Sequence, residues 1–357
     1  MYINKKTFGK NSFWATILVV QFVLFYLLSK SSWAVALFEL FFENQKNLHQ
    51  NLFAWIPFSL GDFIYIVLGA ALALYVISLF WKAKRKNGWR VLLITFNVFY
   101  FLYQFFWGML YFQEPIINTL PKQEITSQEV KKLTIKFLQK CKITRELVSE
   151  NKQGIFTLKN LQEIEREVLS QQNHIPKFLN TKKATQINSI KASLYGNVMS
   201  FSGILGYYNP FTAEAQYNRH LPSTYIPFTI AHESSHQLGY AREQEANFIG
   251  YLIGINSANL ELRYSTEYST LKSLLNYLAN EDPEFVKSVL QQFSPKMKLD
   301  RKYELQFIKA HSGLMDEFFA MTNNLFLKSN QQEGSITYSY FIDLLVRYER
   351  IKKESYQ

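Results

Sequence analysis

Two histidines and a glutamate in the C-terminal half have the spacing of a metal site: His232, Glu233 and His236 in the order H-E-x-x-H. Residues four apart on an α-helix lie on the same face, so both imidazoles can direct a ring nitrogen at one Zn²⁺. Glu233 lies to one side, where it can take a proton from a metal-bound water as a general base. Pro227 fits the first turn of this helix and Gly239 its end, and the six histidines in 357 residues make a chance pair a poor alternative.

A third ligand must come from nearby, because catalytic zinc normally takes three protein ligands and a water. A metzincin would place a histidine six residues after His236, but that position is Arg242, which cannot bind a metal. The next predicted helix offers Glu243 and Glu245. Glu243 shares a helix face with Asn247, whereas Glu245 points away from that face.

The H-E-x-x-H motif followed by Glu243-x-x-Ala-Asn247 resembles the gluzincin metallopeptidases. This resemblance implies that Glu243 is the third zinc ligand. Asn247 stands where those enzymes carry an aspartate that hydrogen-bonds a ligand imidazole, so we expect the hydrogen bond without the charge, and lower metal affinity or activity. The six-residue connection from His236 to Glu243 is shorter than is usual in that group, which keeps Glu245 as a second candidate.

Three stretches without a charged residue, 11–29, 63–81 and 91–113, lie in the first third of the chain. Each is long enough to cross a hydrocarbon layer of about 30 Å as a helix. A small soluble domain could not bury three helices that are apolar on all sides. We therefore predict a membrane domain of residues 1–112 with three transmembrane helices, a connector of residues 113–125, and a C-terminal domain of residues 126–357.

Basic residues indicate how this membrane domain is oriented. They precede the first stretch (Lys5, Lys6 and Lys10) and fill the loop between the second and third (Lys82, Lys84, Arg85, Lys86 and Arg90). Because cytoplasmic loops carry the excess of Lys and Arg, this pattern predicts a cytoplasmic N-terminus and an extracytoplasmic C-terminal domain at the inner membrane, periplasmic in a Gram-negative cell. Most of the net charge of +11 lies in residues 1–112. We therefore expect a lipid bilayer as partner and no nucleic acid.

The segment between the first two stretches mixes aromatic and polar residues from 31 to 60. This composition is typical of a helix in the membrane interface or of a cap on the C-terminal domain, although a plain loop is also consistent with it. Ala34-Val35-Ala36 resembles a signal-peptide cleavage site. The preceding apolar run is longer than a signal core, however, and two more stretches follow, which favours an uncleaved anchor.

The C-terminal domain is predicted to be mainly helical and zincin-like, with a small β element before the metal helix. In zincin folds the strand before that helix borders the cleft and can pair with an extended peptide. Residues 204–208 and 213–217 are the two candidate strands. Tyr217, His220 and Tyr240 are candidates for lining the cleft or steadying an oxyanion, and the lone Cys141 is predicted to be a packed, inert thiol.

Three membrane stretches, H-E-x-x-H, R-E-x-E-A-N from Arg242, and S-x-x-Y-S-Y-F-I-D-L-L from Ser335 together resemble the bacterial membrane family catalogued as domain of unknown function 3810. That resemblance implies no substrate. From the site we predict a membrane-anchored zinc metallopeptidase acting on an extracytoplasmic or membrane-attached polypeptide. The alternative is a non-catalytic scaffold or assembly factor with a structural zinc. A transporter is the weakest hypothesis, because the sequence suggests no internal polar pairs in the stretches and three spans are few for a pathway.

Overall fold

The computed structural model describes residues 11–313 and 337–354, apart from the side chains of residues 82–87, 337–339 and 354. Lys5, Lys6 and Lys10 and the side chains of most of the predicted basic loop lie outside the described residues. A single helix from Leu299 to Leu327, which the sequence also suggests, is wrong, because the helix there ends at His311 and Ser312 is extended. The described part is mainly helical with one small sheet, as the sequence predicts.

Four helices form the N-terminal part: α1 (Asn11–Ser29), α2 (Ser32–Ala54), α3 (Leu60–Ser78) and α4 (Lys82–Phe106). Three segments among them are long and apolar enough to cross a membrane: Asn11–Ser29, Leu60–Ser78 and Gly88–Phe106. The second segment begins before residue 63 because Ser59 caps α3 through the Asp62 amide.

The third candidate span ends earlier than the predicted residue 113. The helix stops at Phe106, and Gly108–Phe112 forms a 3₁₀ turn. Trp107 just before this turn and Leu110 and Tyr111 within it are buried with Phe42 and Ala241, so the last part of the apolar run packs on protein. The predicted connector contains a second 3₁₀ turn, Ile116–Thr119.

Helix α2 attaches to the C-terminal domain through its polar face. The Lys46 ammonium is buried and donates to Glu43 and to the Lys183 carbonyl, and Lys182 reaches Glu39 at 2.8 Å. The opposite face of α2 is apolar and exposed, with Trp33, Leu37, Leu40, Leu48, Leu52 and Trp55 along it. The helix predicted for this segment is therefore present, and it presents its apolar face outward.

The C-terminal domain consists of helices around a shared apolar core. The helices are α5 (Ser127–Leu147), α6 (Leu161–Gln171), α7 (Gly196–Ser202), α8 (Ile226–Leu238), α9 (Glu243–Ile255), α10 (Leu260–Leu278), α11 (Pro283–Gln291), α12 (Pro295–His311) and α13 (Thr337–Glu354). The predicted capping box of Thr126 and Glu129 begins α5, and Asp282 caps α11 with Pro283 in its first turn. Phe137, Tyr251, Tyr264 and Leu271 are among the fully buried core side chains.

Three short strands form one sheet beside α8: β1 (Ile190–Ala192), β2 (Gly206–Asn209) and β3 (Glu214–Tyr217). The order is β1-β3-β2, with β3 parallel to β1 and antiparallel to β2. Residues 213–217 therefore contain the central strand and cannot offer a free edge, so that candidate was wrong. Strand β2 forms one edge of the sheet and overlaps the other candidate, residues 204–208, although it begins at Gly206 and ends at Asn209.

Two buried carboxylates join this sheet region to the start of α3. Glu214 accepts hydrogen bonds from the Leu60 and Gly61 amides at 3.0 and 2.7 Å and pairs with Lys191 at 2.9 Å. Asp62 accepts from Ser193 Oγ and from the Tyr207 hydroxyl. These contacts fix the sheet to the end of a candidate membrane span.

We expect Glu214→Ala to lower the free energy of unfolding by about 3–5 kcal/mol, because Lys191 would keep a buried charge without its partner. Denaturation of the purified full-length protein in detergent measures this change. Glu284→Ala is the control, since the Glu284 side chain is 83% exposed and its loss should cost less than about 0.5 kcal/mol. Equal stability of the two variants would contradict the role assigned to Glu214.

Candidate metal centre

Helix α8 places the two histidines as the sequence predicts. Pro227 lies in its first turn, and Gly239 ends it in the left-handed conformation with φ of 104°. The rings of His232 and His236 lie one turn apart, with centroids 4.9 Å apart and planes nearly perpendicular. The Nε2 atoms of both rings are thereby brought to one side of α8.

Helix α9 brings the third residue to this pair. It crosses α8 closely at Gly250, where a Cβ atom would lie 3.1 Å from the His232 amide nitrogen. At the N-terminus of α9, one Glu243 oxygen lies 3.2 Å from His232 Nε2 and the other lies 3.6 Å from His236 Nε2. A single carboxylate therefore spans the two imidazoles.

The inner ring nitrogens are both engaged with oxygen atoms. His232 Nδ1 lies 2.9 Å from Asn247 Oδ1, and His236 Nδ1 lies 2.6 Å from the Tyr240 carbonyl oxygen. A carbonyl oxygen can only accept, so both Nδ1 atoms carry protons, and a ring that is neutral presents its Nε2 lone pair to Glu243. This is the tautomer that a metal ligand requires.

Glu233 lies beside this group and against the edge strand. One atom from each of His232, Glu233 and His236 lies within 4.8 Å of the others. A Cβ atom at Gly206 in β2 would lie 2.7 Å from the Oε1 atom of Glu233, so only glycine fits at this position. The Oε2 atom of Glu233 is buried and has no hydrogen-bond partner among the described residues. A buried carboxylate oxygen without a partner is costly, which is typical of a group kept for function.

The charges of the cluster are strongly coupled. Burial opposes protonation of His232, but its hydrogen bond to Glu243 and the charges of Glu233 and Glu243 outweigh burial and raise its pKa to about 9. Burial lowers the pKa of His236 to about 4 and raises that of Glu233 to about 8. Burial opposes ionisation of Glu243, but the two histidines lower its pKa to about 2. The neighbouring carboxylates thus favour the protonated form of His232, in which Nε2 donates to Glu243.

Glu245 is placed elsewhere. Its carboxylate accepts from the Ile116 amide at 2.9 Å and from Arg242 at 3.1 Å, and its side chain is only 6% exposed. It therefore anchors the connector to α9. The donor set that converges on one point is His232, His236 and Glu243.

The three predicted cleft residues have other contacts. The Tyr217 hydroxyl contacts Glu165 at 3.2 Å, and the Tyr240 hydroxyl donates to Asn180 at 2.7 Å. His220 is exposed and its ring packs against Gly196. Of these residues, only Tyr240 contacts the cluster, through its backbone carbonyl and His236.

Aromatic residues from the end of the third span complete the surroundings, and the sequence did not reveal them. The centroid of the Trp107 ring lies 5.8 Å from that of the His236 ring and 4.6 Å from that of the Tyr208 ring. Tyr111 is buried, and burial together with the nearby Tyr103 and Glu243 raises its pKa. The available signal was the position of Trp107 and Tyr111 at the end of an apolar run, which is also what a longer span would look like.

Variants at Asn247 test whether its hydrogen bond to His232 supports metal binding by that imidazole. We expect Asn247→Ala to weaken zinc binding by about 10- to 100-fold, because His232 loses the partner that fixes its tautomer. Asn247→Asp should strengthen binding by adding negative charge behind the ring. Competition with a chromophoric chelator measures both variants, and an unchanged affinity in Asn247→Ala would show that this hydrogen bond does not support a ligand.

The fold and the site define a class: mainly helical proteins whose three apolar helices are consistent with membrane anchoring, with a histidine–glutamate cluster in the C-terminal domain. The sequence model of the family described as "Protein of unknown function (DUF3810)" matches residues 38–346. The chain belongs to this family, as its motifs indicated. No curated protein and no solved structure matches the chain.

Proposed function

We propose that the protein is a membrane-anchored zinc metallopeptidase that hydrolyses peptide bonds of an extracytoplasmic or membrane-attached polypeptide. The observation that carries this proposal is the convergence of the two Nε2 atoms on Glu243, 3.2 and 3.6 Å away, beside the unpartnered Glu233 oxygen. His232, His236 and Glu243 are the proposed zinc ligands, as in the gluzincins.

The donor set fits zinc chemically. Two imidazoles and one carboxylate are the ligands of a common class of catalytic zinc sites. When bound, zinc supplies Lewis-acid polarisation of the scissile carbonyl and lowers the pKa of water. Asn247 and the Tyr240 carbonyl hold the imidazoles in the required tautomer and orientation.

Glu233 is the proposed general base. Its free Oε2 can accept a proton from the attacking water and pass that proton to the leaving amine. The packing of β2 against its Oε1 keeps the carboxylate in place.

Strand β2 is the proposed substrate platform of a zincin-like cleft. It pairs with β3 on one side, and among the described residues no strand pairs with its other side. An extended polypeptide can add to such an edge by main-chain hydrogen bonds. Because Gly206 of β2 contacts Glu233, a polypeptide bound there would pass the proposed base.

Two features favour this function over a scaffold with a structural zinc. Structural zinc sites are closed by four protein ligands, and a carboxylate without a partner has no use there. Here the Glu243 side chain is 35% exposed, and Glu233 adds no further structural contact through Oε2 among the described residues.

The basic loop and N-terminus support placing the C-terminal domain outside the cytoplasm, at the inner membrane.

Removal of the metal tests this function. We expect the purified full-length protein to cut a mixture of short unstructured peptides, a chelator to abolish cutting, and added Zn²⁺ to restore it. Mass spectrometry of new peptide termini measures the reaction. Cutting that persists in chelator would contradict a zinc peptidase, and so would the absence of cutting in zinc-loaded protein.

A further inference from the structure

An exposed apolar stripe borders the proposed cleft. Val198 and Phe201 of α7 and the neighbouring Leu194 and Leu205 are exposed, although the Phe201 ring also contacts that of His311 with centroids 4.8 Å apart. These four residues, which we call the α7 stripe, keep between 40% and 51% exposure. Four large apolar side chains that are exposed so close together in the chain form the kind of surface that contacts another apolar phase.

Hydrogen bonds to Asp62 fix the position of the α7 stripe relative to a candidate membrane span. The Leu194 amide donates to the Asp62 carboxylate at 2.6 Å, and the Tyr195 hydroxyl donates to the Asp62 carbonyl at 2.9 Å. Asp62 lies in the first turn of α3, which is one of the three candidate spans. The α7 stripe therefore lies level with the end of a span.

A second contact, between Trp107 and His236, places the metal centre near the end of another candidate span. Trp107 directly follows the last residue of the third candidate span, and its ring lies 5.8 Å from that of His236. Nearby, Phe41 of α2 packs on Phe105 and Phe106, and the exposed apolar face of α2 runs past this point. Contacts with two separate candidate spans thus place the α7 stripe and the metal centre at a similar distance from the proposed bilayer.

The stripe is also continuous with the cleft. Leu205 immediately precedes β2, and its carbonyl accepts from the Asn218 amide at 2.8 Å, which extends the β2–β3 pairing by one step. Tyr207 of β2 donates to the same Asp62 that holds Leu194. The proposed substrate strand and the stripe therefore share one anchor on the membrane domain.

We propose that the α7 stripe and the apolar face of α2 lie in the outer surface of the lipid bilayer, so that the cleft opens along the membrane. The bilayer is the partner because α2 follows one candidate span in the chain, and the α7 stripe is held by hydrogen bonds to the first turn of another. The substrate class that follows, which rests on the proposed function, is membrane-tethered polypeptide cut in the stretch immediately outside the bilayer. A peptide bond farther from the membrane would have to fold back to reach Glu233.

Depth-dependent quenching tests the surface without using activity. Cys141 is buried, so Val198→Cys or Leu194→Cys in the full-length protein can carry a single fluorophore. In phosphatidylethanolamine–phosphatidylglycerol vesicles with a shallow spin-labelled lipid in both leaflets, these labels should be quenched at least about threefold more than one at Lys287→Cys, because interfacial helices insert about 5–10 Å. The Lys287 side chain is 66% exposed and serves as the solvent control.

Equal lipid quenching at the three positions would overturn the proposal. So would shielding of the α7 labels from both the spin-labelled lipid and aqueous iodide, because protein would then cover the stripe. Leu194→Cys keeps the test decisive if Val198→Cys fails to fold.

The substrate class is tested by comparing new polypeptide termini in cells with wild-type protein and with Glu233→Gln. Termini that depend on Glu233 should lie within about ten residues of a span or a lipid-bearing residue, since an extended chain covers about 3.5 Å per residue. Dependent termini spread through soluble proteins would overturn the inference. A complete lack of Glu233-dependent termini would contradict the proposed peptidase activity instead, while the quenching result would still decide the surface.

Discussion

Glu233→Gln is expected to bind zinc as the wild type does and to lose about 10²- to 10⁴-fold in peptide hydrolysis, the usual contribution of a general base. Glutamine keeps the size of the side chain beside Gly206 but cannot take up the proton. Metal content and single-turnover cutting of the peptide mixture measure the two parts of this result. The variant should fold normally, because the Oε2 atom makes no hydrogen bond among the described residues.

This variant also separates catalysis from a structural role. In a condition where deletion of the protein has a phenotype, cells with Glu233→Gln should resemble the deletion. If zinc is bound and those cells are indistinguishable from wild type, the scaffold hypothesis replaces the peptidase. The comparison needs an equal amount of protein in the membrane, measured by immunoblot.

Glu243→Ala should lower zinc affinity by more than the roughly 100-fold that loss of a hydrogen-bonding partner behind a ligand can cost. Its carboxylate is the group that faces both Nε2 atoms, and alanine leaves two ligands for the metal. Calorimetric titration of the purified full-length protein with zinc measures the change. His232→Ala and His236→Ala should give comparable losses.

Glu245→Ala is the matched control, since it removes the same chemical group two residues along α9. Its carboxylate holds Arg242 and the Ile116 amide, so we expect lower stability with zinc affinity close to wild type. A variant that keeps its metal after Glu243→Ala and loses it after Glu245→Ala would reverse the ligand assignment.

The local features of the site were predictable because each depends on neighbouring residues. The i, i+4 spacing of His232 and His236, together with Pro227 and Gly239, predicted a helix whose bounds the structure confirms. Glu243 and Asn247 share a helix face, the gluzincin resemblance implied that both act on the histidines, and the structure places both beside the two rings. Helical periodicity is a short-range property, and a sequence records it directly.

The contacts between distant segments were not predictable. Glu214 lies more than 150 residues from the Leu60 amide that it binds, and no local pattern connects them. The apolar run of residues 91–113 likewise has no mark at Phe106, where the exposed helix gives way to residues that are buried with Phe42 and Ala241. Tyr217 and His220 were chosen for nearness in sequence, and their side chains have partners other than the cluster.

The zinc content of the purified full-length protein tests the metal centre most directly. Elemental analysis by mass spectrometry should find about one zinc per chain in the wild type and in Glu233→Gln, and far less in His236→Ala and Glu243→Ala. These four samples need the same purification in metal-controlled buffer. Wild-type protein that takes up no zinc, even when zinc is supplied, would contradict the peptidase and the structural-zinc alternative together.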